Sequence, residues 1–442
     1  MRLLVLYHAG FTYTPTVHHY LSAISRYSAF DVDYFNVDQS YGGKLDFSAY
    51  DAVYINYCVV SVNRIDPPPF MMLLISGLRR YGGVKIASVQ DEYDFVNRTK
   101  VFLLQIGVDA VLTCVPQVGV RDIYSEPEFD RIYLRTIQTA YLSDELMAVD
   151  PAEILPLAER PIALGYRGRA LPYRLGDLGW HKTEIADQFK RACARAGVVC
   201  DIEVDEEKRF TGEAWLGFVR NCRVHLGTPS GANVFDFDGS LDCRMTERWN
   251  AKPGLPYQEV RDELLPYEVA HDMGQVSARI FEAVAQKTAL ALLRGNYSGV
   301  VEPEEHYVPI NPDYSNVDDV LKRILDVSAM QEMADRAFYH VLNDTRNRYS
   351  YMVSQIDALT YQIGTIPGKQ GVSPLKVTAQ PLGCDPYLFD KLCWLKAAYQ
   401  KQVDDYFEFV GLVSRQEVRV IDNLDGSYQV IKGDFKEAGF GS

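Results

Sequence analysis

The sequence predicts an α/β protein of two parallel-sheet domains followed by a C-terminal extension, and three observations carry that prediction. Short apolar runs alternate with helix-length amphipathic segments over most of the chain. The alternation occurs twice, on either side of an acidic stretch at 142–161 punctuated by Pro151, Pro156 and Pro161. At 442 residues the chain exceeds what one ordinary core accommodates.

The first domain, 1–150, is predicted to hold strands at Leu3–Tyr7, Asp31–Phe35, Ala52–Tyr57, Lys85–Val89 and Ala110–Thr113. Helices are expected at Thr16–Tyr27, at Phe70–Tyr81 (stopped by Gly82-Gly83) and at Thr99–Ile106. Right-handed crossovers between such strands give a parallel sheet whose ligands bind beyond the strand C-termini. That places Tyr7–Thr16, Asn56–Asn63, Gln90–Asn97 and Cys114–Gln117 on one rim. The second domain, 160–365, repeats the pattern with strands at Ile162–Tyr166, Val199–Glu203, Arg223–Gly227 and Ala289–Leu293. Its helices are expected at Thr183–Ala196 and Trp215–Asn221, on the short Ala-rich segment carrying Glu282, and at Val317–Asp326, Met330–Leu342 and Tyr349–Gly364. A polar insertion at 239–275 interrupts the series. The extension, 377–442, reads as a long helix at Pro386–Val413 and a hairpin of Val418–Asp422 and Tyr428–Ile431 turning at Asn423–Gly426.

Composition narrows the partners. A formal charge of −14 argues against a nucleic-acid partner, whose phosphates need a basic face, and against broad adsorption to anionic lipid. A local patch in the extension is left as a peripheral membrane or complex contact. The 29 tyrosines suit partly buried packing and also sugar contact. Eight cysteines without a CxxC pair, mostly in apolar runs, point to reduced thiols and a cytoplasmic chain. The start, MRLLVLYHAG, reads as a first strand, and no apolar run reaches the roughly 18 residues that span a bilayer.

Four constellations could carry chemistry. In Leu164-Gly165-Tyr166-Arg167-Gly168-Arg169, glycines at a strand end admit an anion to the backbone. Arg167 and Arg169, with Lys182, are placed to clamp a diphosphate. In Leu226-Gly227-Thr228-Pro229-Ser230-Gly231-Ala232-Asn233, small residues let a flat ligand approach, with Ser230 and Asn233 as donors. The following Asp236-Phe237-Asp238 suits substrate hydroxyls or a loop cap better than a metal. In Gln90-Asp91-Glu92-Tyr93-Asp94, clustered carboxylates offer a general base, with an N-cap cluster as the equal alternative. Finally, Arg279–Pro309 carries Glu282 near a helix start, where a carboxylate can hold paired hydroxyls while neighbouring amides take phosphates. His306 in its acidic loop is a minor candidate for ligand contact, and His18-His19 for an acceptor.

Taken together, LGYRGR, LGTPSGANVFDFDG and RIFEAVAQKTAL…EPEEHYVPI, with FTYTPTVHHYL and SVQDEYD upstream, resemble the bacterial "group 1" GT-B glycosyltransferases of surface polysaccharide biosynthesis. The resemblance covers residues 1–360. It implies two Rossmann-like domains facing a cleft and transfer of a hexosyl group from a nucleotide diphosphate sugar to a glycan or glycolipid hydroxyl. It also implies Glu282 at the ribose, and Arg167, Gly168, Arg169, Lys182, Gly227, Ser230, Gly231 and Arg279 around the donor. Asp91 or Glu92 would serve the acceptor. No cofactor is expected beyond the sugar nucleotide, and no metal, because basic side chains and helix N-termini can neutralise the diphosphate. One departure is clear: relatives that retain configuration carry a second glutamate eight positions before the ribose residue, and here that position is Gly274. Two other readings stay open, a nucleotide-sugar 2-epimerase and a catalytically silent partner subunit of a polysaccharide assembly complex.

Overall fold

Strand β1 (Arg2–Tyr7) is buried on both faces, as a strand with helices above and below must be. The computed structural model describes residues 1–12, 15–37, 45–65, 70–365, 418–422 and 428–432. Helix α1 (Pro15–Tyr27) crosses to β2 (Asp31–Asn36), and β3 (Ala52–Ile55) pairs with β1 on its other side. Helices α2 (Tyr57–Ile65) and α3 (Phe70–Arg80) lead to β4 (Val84–Val89), and α4 (Val96–Ile106) leads to β5 (Ala110–Thr113). The short α5 (Val120–Ile123) and then β6 (Tyr133–Thr136) complete a six-stranded sheet in the order β2-β1-β3-β4-β5-β6.

Beyond α6 (Asp144–Met147), a second sheet takes the order β11-β10-β9-β7-β8. Its strands are β7 (Ile162–Arg167), β8 (Cys200–Glu203), β9 (Cys222–Gly227), β10 (Ala289–Leu293) and β11 (Val308–Ile310), and their pairings are parallel. Between them run α7 (Gly176–Ala196), α8 (Gly212–Asn221), α9 (Ser240–Ala251), α10 (Arg261–Leu264) and α11 (Ala278–Ala285). Helices α12 (Val317–Ile324), α13 (Val327–Asn343) and α14 (Tyr349–Gly364) follow. The strands β12 (Val418–Asp422) and β13 (Tyr428–Lys432) form the expected antiparallel pair, whereas the helix expected at Pro386–Val413 lies outside the described residues. By contacts, the described residues within 1–88, 101–110 and from 357 onward form one compact unit, and 89–100 with 111–356 form another.

The α/β class and the two parallel sheets are as expected, with local corrections. Asn56–Asn63, expected as a rim loop, mostly forms α2. Its start is set by Asn56, which is buried and accepts from the Cys58 amide at 3.0 Å in the manner of a helix cap. Helix α7 begins at Gly176 instead of Thr183, so Lys182 projects from the helix itself. The acidic stretch at 142–161 is α6 followed by short helical turns, fastened by Arg160, 1% exposed, whose guanidinium donates to Cys222 O, Gln286 O and Thr288 Oγ1 at 2.7–2.9 Å. The insertion forms α9 and α10, and its Leu241, Leu255 and Leu264 cluster with Val234 just before it. None of the described helices is long and apolar enough to cross a membrane.

Candidate functional site

Strand order locates the site. From β7 the chain moves outward to β8 and then returns to β9 on the opposite side, so β7 and β9 flank the point where winding reverses. At such a switch point the two following loops diverge and leave a crevice at the strand C-termini. The loops are Arg167–Arg169 after β7 and Gly227–Gly231 after β9. Both are drawn close by packing that excludes side chains. A Cβ on Gly168 would lie 2.7 Å from the Tyr166 ring and 2.8 Å from Lys182 O, and one on Gly227 would lie 2.6 Å from Leu292. Gly231 adopts φ +90°, a conformation open to glycine, with Met273 O close by. Ser230 is clipped to Gln275 through two backbone hydrogen bonds of 2.8 and 3.0 Å, which fixes the segment that leads into α11.

Three cations converge on this crevice. Lys182 Nζ donates to Pro229 O at 2.7 Å, linking α7 to the β9 loop. Burial, together with the neighbouring charges of Arg279 and Arg169, pushes its ammonium down to about 7. The Arg279 guanidinium donates to Arg167 O and lies 5.2 Å over the Trp215 ring. Burial lowers its pKa too, against the raising effect of Tyr166 and Glu282. Arg169 is exposed at the edge. Glu282, the nearby carboxylate, accepts from Trp215 Nε1 at 2.6 Å, and burial raises its pKa despite that bond and Arg279. Beneath them His225 is 2% exposed, with an Nε2 that has no hydrogen-bond partner. Burial, then Arg279 and Arg167, drive it to about 3, so it stays neutral. Cations desolvated against one another, with one weakened carboxylate, favour a multiply charged anion.

Several expectations change in detail. Arg167 does not present its guanidinium to a ligand here. The group is bound to Asp201 at 2.8 Å and to the carbonyls of Tyr166, Asp201 and Lys208, between the rings of Phe210 and Phe218. Its contribution to the crevice is the carbonyl that orients Arg279. Glu282 occupies the second turn of α11, since no acidic residue lies in the first. Glu92 is 4% exposed, and its carboxylate accepts from Thr113 Oγ1, the Cys114 amide and Tyr124 OH, which makes it a buried tie between loops. Asp91 is exposed, accepts from Tyr93 OH at 2.8 Å and holds φ +54°, a left-handed conformation that costs a non-glycine residue of order 1 kcal/mol.

The Asp236-Phe237-Asp238 carboxylates serve their own backbone. Asp236 is 3% exposed and accepts from the amides of Gly239 and Asp242 at 2.8 and 2.9 Å, while Asp238 accepts from Ser240. These two therefore form the loop cap that starts α9. His18 and His19 lie on α1 with rings 6.3 Å apart. His306 packs toward α13, where Nε2 meets His340 Nδ1 at 2.9 Å and Nδ1 accepts from the Glu302 amide. Because Nδ1 accepts, Nε2 carries the proton and donates to His340. The grouping of Glu305, His306 and His340 has therefore already used the His306 lone pair that a cation would need.

Sequence reasoning missed Trp215, which is 67 positions from the carboxylate it holds, and His225, which looked like one more apolar strand residue. It also missed Arg174, which joins Asp94 to Asp242 and secures the strand-end segment following Asp91.

No family model matches the sequence, and no curated protein does. Among solved structures the chain is similar to T4 phage BGT in complex with UDP and Mn²⁺, at 10% identity and a TM-score of 0.46 over 81% of this chain and 99% of that one. It is similar also to Anabaena HepE in complex with UDP and glucose, at 12% identity and 0.44 over 82% and 100%. With TarM the figures are 10% and 0.41 over 73% of this chain, which spans 57% of that protein.

Proposed function

We propose that the chain is a GT-B glycosyltransferase that moves a sugar from a nucleotide diphosphate sugar to a hydroxyl of a glycan or glycolipid. The observation that supports this is the convergence of buried Lys182 and Arg279, with Arg169 exposed beside them, at the β7–β9 switch point, where burial and mutual repulsion lower both buried groups. As the glycosidic bond to the donor breaks, negative charge grows on the departing diphosphate. Preorganised, desolvated cations stabilise that charge more than they stabilise the ground state. Glu282, oriented by Trp215, takes the ribose hydroxyls. Asp91 receives the acceptor proton if configuration inverts, since Glu92 is committed to Thr113, Cys114 and Tyr124. The cations do the neutralising that a metal does elsewhere, so turnover proceeds in chelator.

A second reading has its own observation. A Cβ at Gly274 would lie 3.0 Å from Asn296 O and from Asp272 Oδ1, a tight fit, and the second glutamate of retaining enzymes is absent from this position. That favours an inverting enzyme or a donor-binding subunit without turnover. Thermal stabilisation of wild type by UDP, GDP, CDP, dTDP and ADP, with and without Mg²⁺, tests donor binding. A shift with one diphosphate, indifferent to metal and lost in Lys182→Met and Arg279→Ala, supports the site. No shift with any of them sinks it. Binding without transfer to any acceptor favours the silent subunit, and conversion of the donor without acceptor would indicate an epimerase.

A further inference from the structure

Apart from the cationic crevice, the unit formed by 89–100 and 111–356 contains a cleft of about 370 Å³ with a different chemistry. Four amides line it, those of Gln117, Gln138, Asn296 and Asn347. Its charged side chains are Asp344 and Arg346, which pair with one another at 2.6 Å and cancel. Two tyrosines, Tyr141 and Tyr351, add aromatic surface, and Tyr351 is 39% exposed. Amides that both donate and accept, together with aromatic faces and no net charge, suit an uncharged polyhydroxylated ligand.

Two details indicate that the cleft is built for a ligand. Gln138 spends its amide nitrogen on Asn347 Oδ1 at 3.2 Å, while its Oε1 is buried without a hydrogen-bond partner. An acceptor left in that state costs free energy unless a donor reaches it. On the facing wall Ser298 and Gly299 are consecutive left-handed residues, at φ +58° and +71°. For serine that is a strained conformation of the kind that gathers at ligand sites.

The cleft is also wired to the crevice. The Ser298 hydroxyl accepts from the Val276 amide at 3.2 Å, and Thr139 Oγ1 donates to Val276 O. Val276 stands between Gln275, which clips Ser230, and Arg279, which faces the diphosphate position. A chain lying in the cleft therefore runs beside the segment that positions the reacting end.

We propose that this cleft binds an uncharged oligosaccharide, the non-reacting part of the glycan acceptor. The term acceptor rests on the transferase reading; the binding itself does not. The test titrates the full chain with cellohexaose, chitohexaose and maltohexaose, with a polygalacturonate hexamer as the anionic control, and measures UDP and GDP binding on the same preparations. At least one neutral hexamer should bind saturably. Gln117→Ala and Tyr351→Ala, both at exposed positions, should each weaken it by about fivefold, the equivalent of one lost hydrogen bond or stacking contact. Nucleotide affinity and melting temperature should not change. Gln138→Ala should have a larger effect on the glycan. Failure of every neutral hexamer, tighter binding of the anionic one, or binding that survives Gln117→Ala and Tyr351→Ala unchanged overturns the proposal. Loss of nucleotide binding in wild type, with glycan binding intact, would instead remove the transferase reading and leave the cleft standing.

Discussion

Lys182 Nζ lies 2.7 Å from the carbonyl oxygen of Pro229, a neutral partner, and is pushed down to about 7 by burial and by Arg279 and Arg169. At pH 8 the unligated group is therefore mostly uncharged. A bound diphosphate raises its pKa, so binding at pH 8 should take up most of a proton. Calorimetric titration in two buffers of different ionisation enthalpy reads that uptake. Lys182→Met should abolish it and weaken diphosphate binding by about ten- to a hundredfold, the range of a charge-assisted hydrogen bond.

The two arginines of the β7 loop should separate cleanly. Arg167 is buried between Phe210 and Phe218 with the partly exposed Asp201 at its edge, so Arg167→Ala leaves a void and should destabilise the fold by about 1–3 kcal/mol. Arg169 is exposed, so Arg169→Ala should leave stability within about 0.5 kcal/mol of wild type while reducing diphosphate affinity. Urea denaturation and nucleotide titration on the same proteins distinguish these outcomes.

Glu282→Gln retains an acceptor for Trp215 Nε1 and removes the charge. It should fold normally and bind the nucleotide more weakly, with a greater loss for ribonucleotides than for their 2′-deoxy forms. Equal affinity for both sugars in wild type, or wild-type affinity and turnover in the variant, would remove Glu282 from the ribose.

Stability should fall with acid. Burial lowers His181 to about 4 and His225 to about 3, and lowers His306 as well. Below the ordinary histidine value near 6.5, the unfolded chain takes protons that the folded imidazoles refuse, so protonation favours unfolding. From pH 7 to pH 5, His181 and His225 should each remove about 2 kcal/mol. Urea midpoints across that window read the slope, and His225→Gln should flatten it.

Glycine substitutions should sort by neighbourhood. At Gly168 a methyl group would meet the Tyr166 ring and the Lys182 carbonyl, so Gly168→Ala should cost about 1–3 kcal/mol and disturb nucleotide binding. At Gly217, within α8, nothing lies within 4 Å, so Gly217→Ala should stabilise by about 0.4–1 kcal/mol.

What could be read in advance follows the range of the forces involved. Strands β1, β3 and β10 announce themselves as apolar runs because a strand buried on both faces is largely apolar, while β7 and β9 carry that signal around Arg167 and His225. Strand β6, YLRT, is half-exposed and carries no such signal. Helix α2 was hidden because its start depends on the side chain of Asn56, and α7 because its first turn rests on Asp177 contacting Arg261, 84 positions away. The positions of Arg169, Lys182 and Arg279 were legible as basic residues at strand and helix ends. Whether such a group is spent on a neighbouring side chain was not. Arg167 and Arg169 look alike in sequence, and only the presence of Asp201 on the adjacent strand tells them apart. In the same way Asp91 and Glu92 are adjacent, yet the turn after β4, left-handed at Asp91, leaves one exposed and the other in the Thr113–Tyr124 tie.

The bond from Arg279 to the carbonyl of residue 167 has a bearing on how this sequence can drift. A main-chain oxygen is supplied by every amino acid, so the orientation of the central cation imposes no demand on the identity of its neighbour. The Arg167 side chain is spent on Asp201 and on neighbouring carbonyls, so on the proposed reading position 167 can change together with Asp201 while Arg279 cannot. Descendants that exchange the 167–201 pair for an apolar one would preserve the crevice, and an arginine in that motif would then be a record of ancestry instead of a signature of activity.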